Sequence, residues 1–371
     1  MGICKPDYFD RFQCIAGACS DNCCIGWEID VDEERQQYYR TVPGELGDRL
    51  SRMIDRERGC FILQGKEERC PFLNRENLCD LILGLGESAL CDICREHPRF
   101  YDWFPGRTEA GIGLCCEAAA RLILGTQEPV RFVSADLEPE EDDMVNALFE
   151  ARETAISILQ DRQYSVWVRL CCLLYYLSEI QNGLDSGSPE EIHELADEYR
   201  NAEATVMDYR EQFTAEDGKL CGDLICTLKT LEFMDPARPG QIARLEQFLE
   251  DPEAFLSVEQ KLSELTGAEE AVYEQLAVYF IYRYFMKCRQ DQDVLGKAQF
   301  TVFSVLFIRF LDLYRLNEHG ILTLEDHVRD AVAYSKEIEY SEENMETLAE
   351  IFISQDAVSP EVLDRILHVI K

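Results

Sequence analysis

Residues 14–24 read Cys-Ile-Ala-Gly-Ala-Cys-Ser-Asp-Asn-Cys-Cys, a C-x4-C-x3-C-C pattern that places Cys14, Cys19, Cys23 and Cys24 within one short stretch. More thiols follow in Cys70-Pro71-Phe72-Leu73, in Leu78-Cys79-Asp80-Leu81, in the C-x2-C of Cys91 and Cys94, and in Leu114-Cys115-Cys116-Glu117. Of the 17 cysteines, 12 lie in the first 116 residues, the others there being Cys4 and Cys60. A disulfide framework requires an oxidising compartment, and hence export. The opening MGICKPDYFD has no apolar signal core, and Pro6 stands where a myristoylation motif has Ser or Thr. The expected location is the cytoplasm, where clustered thiols read as metal ligands.

The chemistry of that set leaves two metals open. Thiolates are soft donors that suit zinc or an iron–sulfur cluster. Zinc closes its site with four ligands, whereas Cys14, Cys19, Cys23, Cys24, Cys70, Cys79, Cys91, Cys94 and Cys115 all qualify as ligands here. The surplus points to an iron–sulfur cluster with extra thiols, or to two centres. Cys23, Cys70, Cys79 and Cys94 sit in the tightest motifs and rank first. Arg69, Arg75, Arg95 and Arg99 lie close by in sequence and are candidates to offset the cluster's charge. His97, before Pro98, reads as extended and as a packing residue, ligand or proton donor. The remaining cysteines, Cys171, Cys172, Cys221, Cys226 and Cys288, fall in apolar helical runs and read as core.

Working outward, charge divides the chain. It carries 36 Lys and Arg against 72 Asp and Glu, a net −36, of which residues 1–125 hold only −7. The expected organisation is a small irregular Cys-rich metal- or cluster-binding domain over 1–125, packed on an acidic, all-helical domain over 126–371: a mainly α protein. A polyanion of this size repels phosphates and anionic lipid, so nucleic acid and membrane are excluded as partners, and a Lys-rich protein surface suits it. Residues 1–30 read as irregular chain with tight turns, followed by a short strand in which Trp27, Ile29 and Val31 alternate with acids. Residues 126–143 read as loop. Helices are then expected over 142–161, 163–182, 189–213, 218–234, 240–250, 254–265, 268–289, 294–317, 323–338, 342–354 and 359–370. Their start signals include Ser188-Pro189-Glu190, Ser359-Pro360-Glu361 and a Thr323–Asp326 capping box. The run Phe300–Leu313 contains Arg309 and Asp312, is too short for a bilayer, and reads as a buried helix. No P-loop, G-x-G-x-x-G or G-x-S-x-G is present.

Residues 8–32, YFDRFQCIAGACSDNCCIGWEIDVD, resemble the opening of the flagellin lysine-N-methylase family, part of a broader group with a zinc- or iron-chelating cysteine domain. The likeness continues through Cys70-Pro71-Phe72-Leu73, Leu78-Cys79, Leu90-Cys91-x-x-Cys94-x-x-His97-Pro98-Arg99 and Leu114-Cys115-Cys116-Glu117, and returns in YEQLAVYFIYRYF, Tyr273–Phe285. Cys116 stands where the pattern has proline, and His97 where it has an aromatic. The resemblance implies methyl transfer from S-adenosylmethionine to lysine ε-amines of flagellin, with a [4Fe–4S] cluster implicated. A cluster with an open iron position would replace the missing nucleotide fold as the donor's seat, and a carboxylate or tyrosine base is required. Two other readings stand beside it: a non-catalytic, zinc-stapled protein-interaction module, and a thiol redox sensor.

Overall fold

The computed structural model describes residues 2–135, 137, 139–201, 213–264 and 268–370, and the fold is mainly α. Its centre is the helix Val294–His319, apolar on nearly all faces. A helix with no polar side must be enclosed, and this one packs against Val166–Ser186, Pro252–Glu264, Ala268–Tyr284, Leu324–Tyr334 and Glu342–Ser354. Among the described residues it alone is long and apolar enough to cross a membrane, and 83% of its apolar window is buried inside the protein. Its start is set by the Asp293 side chain, which accepts from Gly296 N–H, and its end by Gly320 at φ +73°.

The starting signals act as expected. Thr323 and Asp326 form a reciprocal capping box, and the Ser359 and Ser188 hydroxyls accept from Val362 and Glu191 N–H. The expected helix over 268–289 instead breaks after Tyr284 into a 3₁₀ turn, Phe285–Lys287, and a short helix, Cys288–Asp291. The helix Leu324–Tyr334 runs on into a wider π-type turn, Ser335–Glu339. Of the helix expected over 189–213, Pro189–Asn201 is present and 202–212 lies outside the described residues.

One element contradicts the sequence reading. Residues 2–6, read as irregular, and 132–135, read as loop, are strands of a four-stranded sheet. Its order is Arg99–Trp103, Arg107–Ile112, Gly2–Pro6, Phe132–Ala135. Gly2–Pro6 runs parallel to Arg107–Ile112 (Ile3 opposite Thr108) and antiparallel to Phe132–Ala135 (Cys4 opposite Ser134). These strands were hidden because they are short and carry charges where an alternating pattern needs apolar residues. Glu109 is the clearest case. It is only 2% exposed, yet both its oxygens meet the buried Arg152 of helix Asp143–Leu159, at 2.6 and 2.5 Å. With Tyr282 Oη donating to the carbonyls of Cys4 and Ala110, this pair seats the sheet on the helices.

A second, smaller core lies apart from the main one. Ile29, Val31, Tyr39, Leu50, Phe61, Phe72, Leu73, Leu81 and Leu90 pack together with Cys70 and Cys91. The expected strand at Trp27–Val31 is reduced to one bridge, Asp30 with Cys60, flanked by Val31 N–H to Gly59 O and Phe61 N–H to Ile29 O. Its alternation still holds, since Ile29 and Val31 are both buried. Removing one partner of a buried ion pair leaves an uncompensated charge. Glu109→Ala should therefore cost about 3–5 kcal/mol in urea unfolding, and adding Arg152→Met should restore a large part of it; a loss under about 1 kcal/mol would contradict this role for the pair.

Candidate metal centre

The thiols of the first third converge into two adjoining sets. The first comprises Cys24, Cys70, Cys79, Cys91 and Cys94. Cys70 N–H donates to Cys24 O (2.8 Å), and Leu73 bridges Cys79, so short backbone ladders draw three separate loops together. The turn at 74–77 is closed by the Asn74 side chain, which accepts from Glu76 and Leu78 N–H. Cys79 and Cys91 each stand at the N-cap of a short helix. Their sulfurs therefore face free backbone donors: Cys79 accepts from Ile82 and Leu81 N–H, Cys91 from Cys94 N–H, and Cys70 from Phe72 and Leu73 N–H. Donors of this kind favour the thiolate.

Electrostatics shows how close these sulfurs are. Burial raises Cys70 to about 11, with Cys79 and Cys91 adding to the rise. Within the Cys91–Cys94 pair, the hydrogen bond from Cys94 lowers Cys91, and Cys94 is pushed up in return. Cys23 and Cys24 behave alike: Cys23 is drawn down, first by Cys24 and then by His97, while Cys24 is driven up.

The second set holds Cys14, Cys19, Cys23, Cys116 and His97. Glu117, which opens helix Glu117–Leu124, accepts from both N–H and Oγ of Ser20 at 2.7 Å, and lies 3.6 Å from Cys19 Sγ. Its pKa falls below the usual carboxylate value because these bonds outweigh burial. Gly113 N–H donates to Pro98 O, bringing His97 beside the Cys115–Cys116 turn. His97 is extended (φ −53°, ψ 133°), as expected before proline, and its peptide bond to Pro98 is cis. Burial opposes charge on its ring, yet the Cys116 and Cys23 sulfurs raise its pKa to about 9. Its ring meets both sulfurs through side-chain hydrogen bonds.

Cys115 joins neither set. Its thiol is buried beside Tyr340 and Arg283, and burial raises it to about 12. The adjacent Cys116, which sequence reasoning passed over, faces the second set instead; the Cys-Cys doublet was the available signal. Three of the four nearby arginines are engaged elsewhere. Arg69 holds Asn74 and Asn77, Arg95 pairs with Asp92 and Glu96, and Arg99 lies over Phe9 and Phe12.

Around Cys115 the seam with the helical body is polar and aromatic. Glu339, at the end of the π-type turn, accepts from Tyr279 and Tyr284 hydroxyls at 2.8 Å and pairs with Arg283 at 3.3 Å, and its Oε1 is buried without a partner. Tyr340 meets Trp27 edge-on at 5.4 Å, and Lys336 pairs with Asp21. Gly113 lies so close that a Cβ there would collide with the Tyr340 hydroxyl. A small hollow of about 110 Å³ adjoins Ser20, Asp21 and Glu117. A much larger cleft, about 1080 Å³, opens in the helical body between Arg169, Tyr199 and His368, and no residue of either sulfur set lines it.

Among the described residues, the three potential ligand atoms that lie within 4.8 Å of one another belong to Cys171, Asp364 and His368, not to the sulfur sets. Cys171, Cys172, Cys221 and Cys288 are buried among the helices, as expected of core thiols, and Cys226 is half-buried.

A mainly helical chain carrying a thiol-rich appendage at its N-terminal end is the class these features define. The family model for the FliB lysine N-methylase C-terminal domain matches residues 152–361, and the chain belongs to that family. A Salmonella typhimurium protein named Lysine-N-methylase is 21% identical over 361 residues, covering 87% of this chain and 88% of its own. A Salmonella choleraesuis protein of the same name is 22% identical over 362 residues, with the same coverage. The flagellar biosynthetic protein FliU of Salmonella muenchen is 27% identical over 129 residues, 33% of this chain and 76% of its own. No solved structure matches.

Glu117→Ala would release the Ser20 loop from the helix that carries Cys116. The expected loss is about 1.5–3 kcal/mol, as for hydrogen bonds to a charged acceptor, with faster hydrogen exchange at the Ser20 amide. An unchanged exchange rate there would show that Glu117 does not hold the loop.

Proposed function

We propose that this protein is a protein-lysine N-methylase that transfers methyl groups from S-adenosylmethionine to lysines of flagellin, and that it depends on an iron–sulfur cluster. The observation that carries the reading is the family match, together with relatives named Lysine-N-methylase that align over 87% of the chain. In the transfer, the donor's sulfonium–methyl bond breaks and an N–C bond forms on the lysine. The ε-ammonium proton must first leave to a base. Glu339, at the end of the turn beside Tyr340 and Cys115, is the carboxylate we assign to that proton.

The residues fit a cluster on the chemistry of the donor set. Cys70, Cys79, Cys91 and Cys94 supply four sulfurs, three of them accepting backbone N–H. No three sulfurs of the set lie within 4.8 Å of one another. Zinc closes its site with four ligands, and the surplus of thiols in the front third is what favours an iron–sulfur cluster over one zinc ion. When bound, a cluster with an open iron position supplies a chelating seat for the donor's amino and carboxylate groups. A zinc-stapled module and a thiol redox sensor are the other readings, and neither accounts for the family. We place the protein in the cytoplasm, where flagellin lysines are within reach before export, with its acidic surface drawing a Lys-rich partner.

Under anaerobic conditions, with donor and flagellin present, methyl increments should accumulate on flagellin lysines by mass spectrometry. Cys79→Ser with Cys94→Ser should abolish both bound iron and transfer. Transfer that persists without iron would remove the cluster from the reading, and an iron-loaded protein that leaves flagellin unmodified would remove the activity. Raising the ionic strength should slow association by screening the acidic field.

A further inference from the structure

Burial alone does not account for the surroundings of Cys171, deep in the helical body. We propose that Cys171, Asp364 and His368 form a binding site for a divalent metal ion of the zinc type, with three protein ligands and a fourth position toward the large cleft.

Two helices supply the donors. Helix Val166–Ser186 carries Cys171 and, one turn on, Tyr175. Helix Pro360–Val369 carries Asp364 and, one turn on, His368. Residues four apart share a helix face, and these two helices pack on each other. Cys171 Sγ lies 3.7 Å from His368 Nδ1, and that nitrogen lies 3.5 Å from Asp364 Oδ1. One ligand atom from each of the three falls within 4.8 Å of the other two. Around a tetrahedral zinc ion, with Zn–S of about 2.3 Å and Zn–N and Zn–O of about 2.0–2.1 Å, neighbouring donor atoms are about 3.3–3.6 Å apart. The two measured spacings match those edges to within a few tenths of an ångström. A thiolate, an imidazole and a carboxylate are also the donor types that zinc takes.

Asp364 supplies an independent observation. Its Oδ2 accepts from the Tyr175 hydroxyl at 3.3 Å, which orients the carboxylate, while its Oδ1 is buried and has no hydrogen-bond partner. A buried acceptor left unpaired is costly, about 1–3 kcal/mol and more when charged. A cation between Oδ1, Nδ1 and Sγ satisfies it. The bland alternative, a packed histidine, accounts for one contact: Nδ1–H donating to the Asp364 carbonyl at 2.9 Å within its own helix. It leaves unexplained why a thiol and an orphaned carboxylate oxygen close on the same nitrogen. As the ion binds, the Cys171 thiol proton leaves to solvent and the imidazole proton moves from Nδ1 to Nε2, so that Sγ, Nδ1 and Oδ1 each bond the metal.

The cleft of about 1080 Å³ gives the site an open side. His368, Cys172 and Tyr175 line it, together with Arg169 and Tyr199. Structural zinc sites are closed by four protein ligands, whereas three ligands and an open position leave room for an exchangeable one. Here the fourth ligand is water from the cleft. No residue of either sulfur set lines that cleft, so this site is separate from the candidate centre of the front third.

The test is elemental analysis of the full chain after loading with zinc and removal of loosely held metal, in wild type, Asp364→Asn and Cys171→Ala. The front-third thiols are the same in all three proteins, so metal held there cancels in the comparison. Each variant should hold about one zinc fewer per chain than wild type. Tyr175 is exposed, so Tyr175→Phe, checked by an unchanged metal-free thermal melt, guards against misfolding; it should weaken retention of that one zinc about 10-fold in competition with a chelator. Zinc contents equal to wild type in Asp364→Asn and Cys171→Ala overturn the proposal. Should those two fail to fold, a Tyr175→Phe protein that keeps its zinc as firmly as wild type overturns it. The readout is metal content, so the outcome does not depend on whether flagellin is methylated or on iron in the front third.

Discussion

Crowding of buried and half-buried sulfurs that cannot all carry charge is the constraint under which the front of this protein is built. Burial and neighbouring sulfurs raise Cys24, Cys70, Cys79 and Cys94, and within each hydrogen-bonded pair only one partner is eased toward ionisation, Cys23 in one and Cys91 in the other. The protein alone therefore holds these groups largely as thiols. A cation shared among them would invert the balance and release protons on binding. The small core of Ile29, Val31, Phe61, Phe72 and their neighbours is slight for a region of this length, so a centre held by the sulfurs would add its binding energy to folding there.

The rest of the molecule gives that region a rigid seat. The sheet is anchored by Glu109 on Arg152, and the helix Glu117–Leu124 continues the main core through Ala119, Ala120, Ile123 and Leu124 while its first residue grips the cysteine loop. At the same seam the π-type turn Ser335–Glu339 carries Lys336 to Asp21 and Glu339 to the Tyr279–Arg283–Tyr284 group. Such turns disturb helix geometry and are often found at functional sites.

What was legible in the sequence follows from the physics of each element. The long helices announced themselves by apolar periodicity and by caps such as Ser359-Pro360 and Thr323–Asp326, because those signals are local. The sheet was not legible. Glu109 in a buried strand makes sense only once Arg152 arrives from a helix more than forty residues later, and Pro6 and Lys5 mask a strand whose partners are distant. The convergence of the thiols could be inferred from their number, but its division could not. Cys115 and Cys116 are adjacent and equivalent on paper, and only the turn at Gly113 and the helix start at Glu117 send one toward Arg283 and the other toward His97.

The acidic imbalance also acquires a location. Inside the helical body the buried arginines are matched by buried acids: Arg152 with Glu109, Arg169 with Glu274, and Arg309 with Glu259. Those pairs cancel, and burial of an unpaired charge would be prohibitive. The excess of acids over bases, −29 of the total −36 in residues 126–371, must then sit mostly on the solvated surface of the helices. A field from that surface extends about a Debye length, roughly 8 Å at physiological salt, and acts on encounter more than on fold. The cysteine region beside it carries the smaller share, −7, so less negative charge surrounds its sulfurs.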